Sequence, residues 1–384
     1  MDKKRLEKYI RDMKNSLFNT NNMKLGVMAF NCSHGSTVTT ANGTWPMTWQ
    51  DNANLAQMID RAGLEVLLPV GRWKGYGGET NFNNRTFESF TWASGISAIT
   101  SYCTVFATVH APLIHPVAAA KMATTIDHIS NGRFAMNVVA GWFKNEFEMF
   151  NSTWQEHDQR YEYAAEWIEL VKRLWLEEDT FDFQGQFFQG NALWSQPKPI
   201  QKPRIPIMNA GSSSKGQIFS AEHADMNFVM LNQKDEQSDI VQINNLKTLA
   251  QNRGRSSQCW IHGYVVCRDT EKEANDYLHH YVVEKGDDTA VKNMLDIFGL
   301  QSKTLEPSVL ERFKYHFKAG HGGYPLVGTP EQIVHEMQRL SKMGVNGILL
   351  SWVDYLVEAK QWIDQVIPLM EQSGLRKPFN PSRE

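Results

Sequence analysis

Two hydrophobic rhythms alternate along this chain. Short runs rich in Val, Ile, Leu, Phe and Met recur at KLGVMAF (24–30), EVLLPV (65–70), TVFATVHA (104–111), RFAMNVVAG (133–141), IPIMNAG (205–211), DMNFVML (225–231), CWIHGYVV (259–266) and GILLSWV (347–353). Between them apolar residues recur every three to four positions, near 48–62, 86–100, 115–130, 156–177, 213–223, 235–253 and 329–343, and again at about 355–373. Strand-length apolar runs separated by amphipathic helices predict βα units with parallel strands. Eight units predict an α/β fold of the closed (β/α)8 TIM-barrel type; a doubly wound open sheet is the alternative.

Local signals sharpen some boundaries. Thr329-Pro330-Glu331-Gln332 supplies a cap residue, Pro at the first helical position and Gln three residues after the cap. Gly63 and Gly132 stand where a helix ends before the next strand. Two regions exceed a minimal barrel. Residues 1–23 read as a charged amphipathic helical extension, and 270–328 as a mostly helical insertion between strand seven and helix seven. The insertion ends in KAGHGGYPLVG (318–328), a loose stretch suited to covering the active face. The domain reading is therefore one barrel over 24–373, with an extension before it and a tail at 374–384.

Composition narrows the function classes. Lys plus Arg (39) nearly balances Asp plus Glu (42), which gives no electrostatic reason for nucleic acid or an anionic membrane as partner. No run reaches the ~20 apolar residues of a membrane span, and the N-terminus has no apolar signal core. Cys32, Cys103, Cys259 and Cys267 form no CxxC pair, which suggests buried, reduced thiols and a cytoplasmic location.

In a barrel the chemistry sits at the C-terminal strand ends. Here those ends carry Gly71 and Arg72, Thr108 and His110, Asn137 and Trp142, Asn209 and the turn Gly211-Ser212-Ser213-Ser214, and Ser351 with Trp352. Alternation puts Val105, Ala107 and Val109 on the helix side of strand three, so Thr108 points inward. On strand four Phe134, Met136 and Val138 face the helices, so Asn137 also points inward. From the residues alone, Thr108 and Asn137 either satisfy each other, directly or through a buried water, or form a site. The serine-rich turn is either a phosphate cradle at a helix N-terminus or an ordinary cap. Arg160 pairs either with phosphate or with Glu156 or Glu162. No zinc-type histidine motif and no GxSxG elbow occurs, which argues against a metal site and a serine hydrolase. Glu146 and Asp354 are the nearest carboxylates for a glycosidase. Strand ends this neutral suggest a cofactor that brings its own reactivity.

The combination of AAAKMATTIDHISNGRFAMNVVAGWFKNEF (118–147), HDQRYEYAAEWI (157–168), PKPIQKP (197–203) and NAGSSSKG (209–216) resembles the luciferase-like flavin monooxygenases. GRWKGYGG (71–78), FESF (87–90) and LVGTPEQI (326–333) extend the likeness over most of 24–373. It is strongest toward members that act on pyrimidines and on dimethylsulfone. The resemblance implies FMN across the barrel mouth, delivered as FMNH2 by a separate NAD(P)H:flavin reductase, with O2 as co-substrate and no metal. It implies ring contacts from Gly71 and Arg72, further flavin contacts from Asn137 and Glu146, and phosphate-end contacts from Arg160, Tyr161 and Ser213. Thr108 and Asn137 match the pair that holds dioxygen as catalytic residues. The implied reaction passes through a flavin peroxide, formed at the ring N5 in the pyrimidine members, and cleaves a C–N, C–S or C–halogen bond in a small molecule. Trp73, Tyr76, Trp142 and Trp352 are candidates for the dry wall this requires. A homodimer or homotetramer is expected. Two departures, Ala140 and the stretch His110-Ala111-Pro112, leave the substrate open. A deazaflavin-dependent hydride-transfer enzyme and a catalytically silent flavin-binding protein are the alternatives.

Overall fold

The structure, a computed structural model, describes residues 15–231, 235–299 and 306–380. Eight parallel strands form the barrel: β1 (Lys24–Met28), β2 (Val66–Leu68), β3 (Thr104–His110), β4 (Phe134–Val139), β5 (Ile207–Asn209), β6 (Met226–Phe228), β7 (Gln258–Cys267) and β8 (Gly347–Ser351). They pair in the order β7-β8-β1-β2-β3-β4-β5-β6, and the β6–β7 pairing closes the ring, which excludes the open sheet. The expected helices are present, from Trp49–Arg61 to Pro330–Met343 and the run beginning at Tyr355.

Alternation on the strands sorts the core into two shells. Phe106, Ala135, Met208, Met226, Trp260 and Leu349 fill the barrel interior. Val105, Ala107, Val109, Phe134, Met136 and Val138 pack outward under the helices. The Thr329 capping box forms as expected, with Thr329 N–H donating to Gln332 Oε1 at 2.9 Å. Gly63 and Gly132 end their helices at φ 74° and 81°, a region that favours glycine.

Three features depart from the expectations. First, residues 15–23, expected as part of a helical extension, contain only a 3-10 turn, Ser16–Phe18; the rest of that expected extension, 1–14, lies outside the described residues and is not a departure. Residues 15–23 close the barrel's lower end: Leu17 packs against the interior core, and Ser16 Oγ bonds Glu65 O at 2.8 Å. Second, the 318–328 stretch is not all loop. Tyr324–Gly328 is a ninth parallel strand, paired with Gly263–Cys267 in the upper half of β7. Third, an antiparallel hairpin, Phe181–Gln184 with Gln189–Leu193, stands before β5; Glu166 holds its turn by accepting from the N–H groups of Gln186, Phe187 and Phe188.

The described remainder of 270–328 carries helices at Glu271–His279, Asp288–Ile297 and Pro307–Gly320. It is clasped to the loops above the mouth. Asp287 accepts from Thr80 N at 2.7 Å and Thr80 Oγ1 at 2.9 Å, and Asn293 donates to Tyr76 O at 2.7 Å. Val38 N–H donates to Lys318 O at 3.1 Å. All four cysteines are free and buried, and no helix among the described residues is long and apolar enough to cross a membrane.

Candidate active site

Thr108 and Asn137 are direct register partners on β3 and β4, both pointing into the barrel one step above Phe106 and Ala135. Asn137 Nδ2 donates to Thr108 Oγ1 at 3.2 Å. Thr108 donates its own hydroxyl proton to Pro69 O at 2.6 Å, and its N–H is held by Ser89 Oγ at 2.5 Å. The two side chains therefore do satisfy each other in part. The pairing is incomplete, because Asn137 Oδ1 is buried with no partner. With the Thr108 proton committed, the second N–H of the Asn137 amide is the donor this pair has to spare.

Gly71 follows β2 and packs directly on this pair. A Cβ there would stand 3.0 Å from Thr108 O and 3.1 Å from Thr108 Cγ2. Arg72 comes next and is nearly fully buried. Its Nη1 donates to Glu146 Oε1 at 3.1 Å, and Trp73 N–H donates to the same oxygen at 2.7 Å. The guanidinium lies against the rings of Tyr76, Trp142 and Phe143, with its carbon 5.1, 4.8 and 5.4 Å from their centroids. A buried ion pair in an aromatic cage holds both charges at fixed positions. Arg72 Nε and Tyr76 Oη are left buried and unpartnered. A narrow cleft beside Thr108 is lined by Gly71, Arg72, Trp73, Phe87, His110 and Ile114.

Burial and the neighbouring Arg72 charge push the His110 imidazole down to about 3. On the far wall, His262 Nε2 and Ser351 Oγ are 2.7 Å apart on β7 and β8. Burial, then His321, brings His262 to about 3, and burial, then Arg72, brings His321 to about 4. These imidazoles are neutral at ordinary pH.

The second group of expected residues gathers where β4 and β5 end. Ser213 caps helix Ser214–His223 by accepting from Gly216 N at 3.1 Å. Tyr161 stands over the same turn; a Cβ at Gly216 would sit 2.6 Å from its phenol oxygen. Arg160 does not pair with Glu156 or Glu162. Its Nη1 donates to Gly141 O, its guanidinium covers Trp154 at 4.4 Å, and its Nε is buried without a partner. The strand-end peptide 140–143 joins the groups, since Gly141 O holds Arg160 while Trp142 and Phe143 flank Arg72.

All the expected site residues thus lie at the C-terminal end of the barrel. Trp352 does not join them. It packs in the outer shell against Trp362 at 6.2 Å, because its neighbour Ser351 takes the inward position. Asp354 caps helix Tyr355–Gln361 by accepting from Val357 N, so it is a structural carboxylate. The sequence reading missed His262, His321 and Ser89; alternation with Trp260 along β7 marks His262 as inward. Among the described residues no three His, Cys, Asp or Glu side chains converge as a metal site.

A family model described as luciferase-like monooxygenase matches residues 23–347. The chain is 30% identical over 336 residues to an FMNH2-dependent dimethylsulfone monooxygenase of Pseudomonas putida, covering 84% of this chain and 88% of that protein. It is 29% identical over 356 residues to a pyrimidine monooxygenase of Serratia proteamaculans, covering 91% and 96%. Among solved structures, a long-chain alkane monooxygenase superposes with a TM-score of 0.82 at 20% identity, covering 94% of this chain and 93% of that one.

Proposed function

The chain belongs to the luciferase-like monooxygenase family, and on that premise we propose that it is the oxygenase of a two-component system. It takes FMNH2 from a separate NAD(P)H:flavin reductase and uses O2 to oxidise a small organic molecule, cleaving a C–N, C–S or C–halogen bond. The observation that carries this reading is the spare donor of the buried Asn137 amide, set beside an aromatic-walled ion pair.

The residues present fit FMN. Buried, unpartnered polar atoms on Arg72, Asn137 and Arg160 are what a polar cofactor would satisfy. The capped N-terminus of helix Ser214–His223, with Ser213 Oγ–H and the Tyr161 phenol, suits the phosphate. Gly71, Arg72 and Glu146 suit the ring. Bound there, reduced FMN supplies the two electrons that turn one oxygen atom into water while the other enters the substrate.

The chain's own work is positional. The Asn137 amide donates to oxygen as negative charge builds on it, stabilisation of the kind an oxyanion hole provides. Thr108 holds the amide in place and joins as donor only if it releases Pro69 O. Arg72 and Glu146 fix the floor of the site without adding net charge. Tyr76, Trp142 and Phe143 exclude water, which protects the oxidising species from wasteful discharge to hydrogen peroxide. Reduced, buried thiols suit a cytoplasmic setting, and a homodimer or homotetramer is the expected assembly. The test is a substrate screen with reductase, NADH and ¹⁸O2, read by mass spectrometry. Product carrying one labelled oxygen is expected; quantitative hydrogen peroxide with every substrate would contradict the reading.

A further inference from the structure

The loops over the barrel mouth are tied down, with Asn293 donating to Tyr76 O and Thr80 N–H donating to Asp287, each at 2.7 Å. A second approach to Thr108 lies at the side, between the chain after β2 and the chain after β3. This cleft runs inward from Trp73, 38% exposed, and from the half-buried Phe87, Leu113 and Ile114 to the buried Thr108. Its cavity volume is about 10 Å³, room for one water-sized molecule and too little for an organic substrate. Gly71 keeps the inner end open. Its backbone is not in the left-handed region that demands glycine. A side chain there would fill the cleft, its Cβ 3.1 Å from Thr108 Cγ2 and 3.5 Å from His110 Cε1.

The polar side chains of the lining are turned to other work. Ser89 Oγ accepts from Thr108 N–H, and the Thr108 hydroxyl donates to Pro69 O. Glu88 accepts from Phe90 N at 2.9 Å and Thr91 N at 2.7 Å as the cap of helix Ser89–Ile99. Arg72 donates to Glu146, and its unpartnered Nε is buried rather than open to the cleft. His110 Nδ1 stands 3.9 Å from Glu146 Oε2, beyond hydrogen-bond reach. These side chains offer a water little of the two to four hydrogen bonds it needs, and apolar cavities stay dry and take up apolar guests.

We propose that this cleft is the entry path and waiting site of dioxygen, which reaches Thr108 and the Asn137 amide from the side of the barrel rather than through the mouth. This rests on the flavin reading above and deepens it. Dioxygen is small, uncharged and apolar, so it fits the space and loses no hydrogen bond on leaving water. The organic substrate, excluded by size, uses the mouth, and the two reactants do not compete for one door.

The first test needs no flavin: methyl relaxation by NMR of the full chain under O2 against N2. Dissolved O2 is paramagnetic, so the methyls of Thr108 and Val109, which line the cleft, are expected to relax severalfold faster under O2 than those of Val171 and Ile243, which are buried but do not line it. Enhancement no greater than in these controls overturns the proposal. The second test is stopped-flow oxidation of bound FMNH2 at varied O2. Leu113→Trp and Ile114→Trp, at half-buried positions that can take a larger side chain, are each expected to slow the second-order reaction with O2 about tenfold while FMNH2 affinity changes less than about twofold. Oxidation at the wild-type rate in both variants overturns the proposal. Failure of the wild type to bind FMNH2 overturns the flavin reading instead, and is told apart because the relaxation test is made without flavin.

Discussion

At the scale of single residues, Thr108 and Asn137 are not equivalent partners. Thr108 gives its proton to Pro69 O and accepts from Asn137, whereas Asn137 keeps an N–H and an orphaned Oδ1. Asn137→Ala is therefore expected to lower oxygen-dependent product formation by roughly 10²–10³-fold, the usual effect of losing one such donor. Thr108→Val should act mainly by unpairing Pro69 O, at about 1–3 kcal/mol of stability. Steady-state assays with reductase, set beside urea unfolding, separate the two effects; equal activity losses would contradict the assignment. Gly71→Ala would place a Cβ 3.0 Å from Thr108 O, where backbone must give way. Overpacking of this kind costs about 1–3 kcal/mol, and the resulting shift should reduce product formation as well. The inward facing of Thr108 and Asn137 was legible from alternation alone. Their hydrogen-bond directions were not, because those depend on Pro69 and Ser89, which arrive from other parts of the chain.

At the scale of elements, the insertion matters through its clasp. Asp287 caps helix Asp288–Ile297 and also holds Thr80 of the β2 loop. Asp287→Ala is expected to cost about 1–2 kcal/mol as a lost cap. It should also speed amide hydrogen exchange in both 76–84 and 288–297, measured by mass spectrometry; faster exchange in the helix alone would contradict the clasp. Eight strands could be read from their β-branched and apolar runs. The ninth could not, because Gly322, Gly323 and Pro325 argue against a strand. Proline is tolerated there because Tyr324–Gly328 pairs only with β7 and has a free edge. The same period-two rule that located Asn137 also turns Trp352 outward once Ser351 is assigned inward. Glu146 shows the other limit. Its position on the short helix Lys144–Met149 was readable, but its ion pair with Arg72 spans 74 residues of sequence.

At the scale of the whole molecule, a barrel sealed below by residues 15–18 and covered above by the insertion keeps the histidines of its mouth buried and uncharged. This has a consequence for pH. His110 and His262 are held at about 3 and His321 at about 4, below the ~6.5 of an unfolded chain. Below pH 6.5 the unfolded chain takes up protons that the folded one refuses. These groups therefore make stability fall as pH drops from about 6.5 toward 3–4, by up to about 1.4 kcal/mol per pH unit for each histidine. Thermal unfolding should show a lower Tm at pH 5 than at pH 7; a flat or rising Tm would contradict the neutral-histidine mouth. Fold and family were legible in the sequence because βα rhythm and strand-end motifs are local. The sealed base and the aromatic cage around Arg72 were not, because they join residues that only folding of the barrel brings together.

The central claim is that this mouth binds FMNH2 and directs O2 through Asn137. Its most direct test is stopped-flow oxygen consumption by the protein supplied anaerobically with stoichiometric FMNH2, wild type against Asn137→Ala. Reduced flavin is expected to bind both proteins, with oxygen reaction in the variant slowed about a hundredfold or more. Failure of the wild type to bind FMNH2, or equal rates in the two proteins, would contradict it.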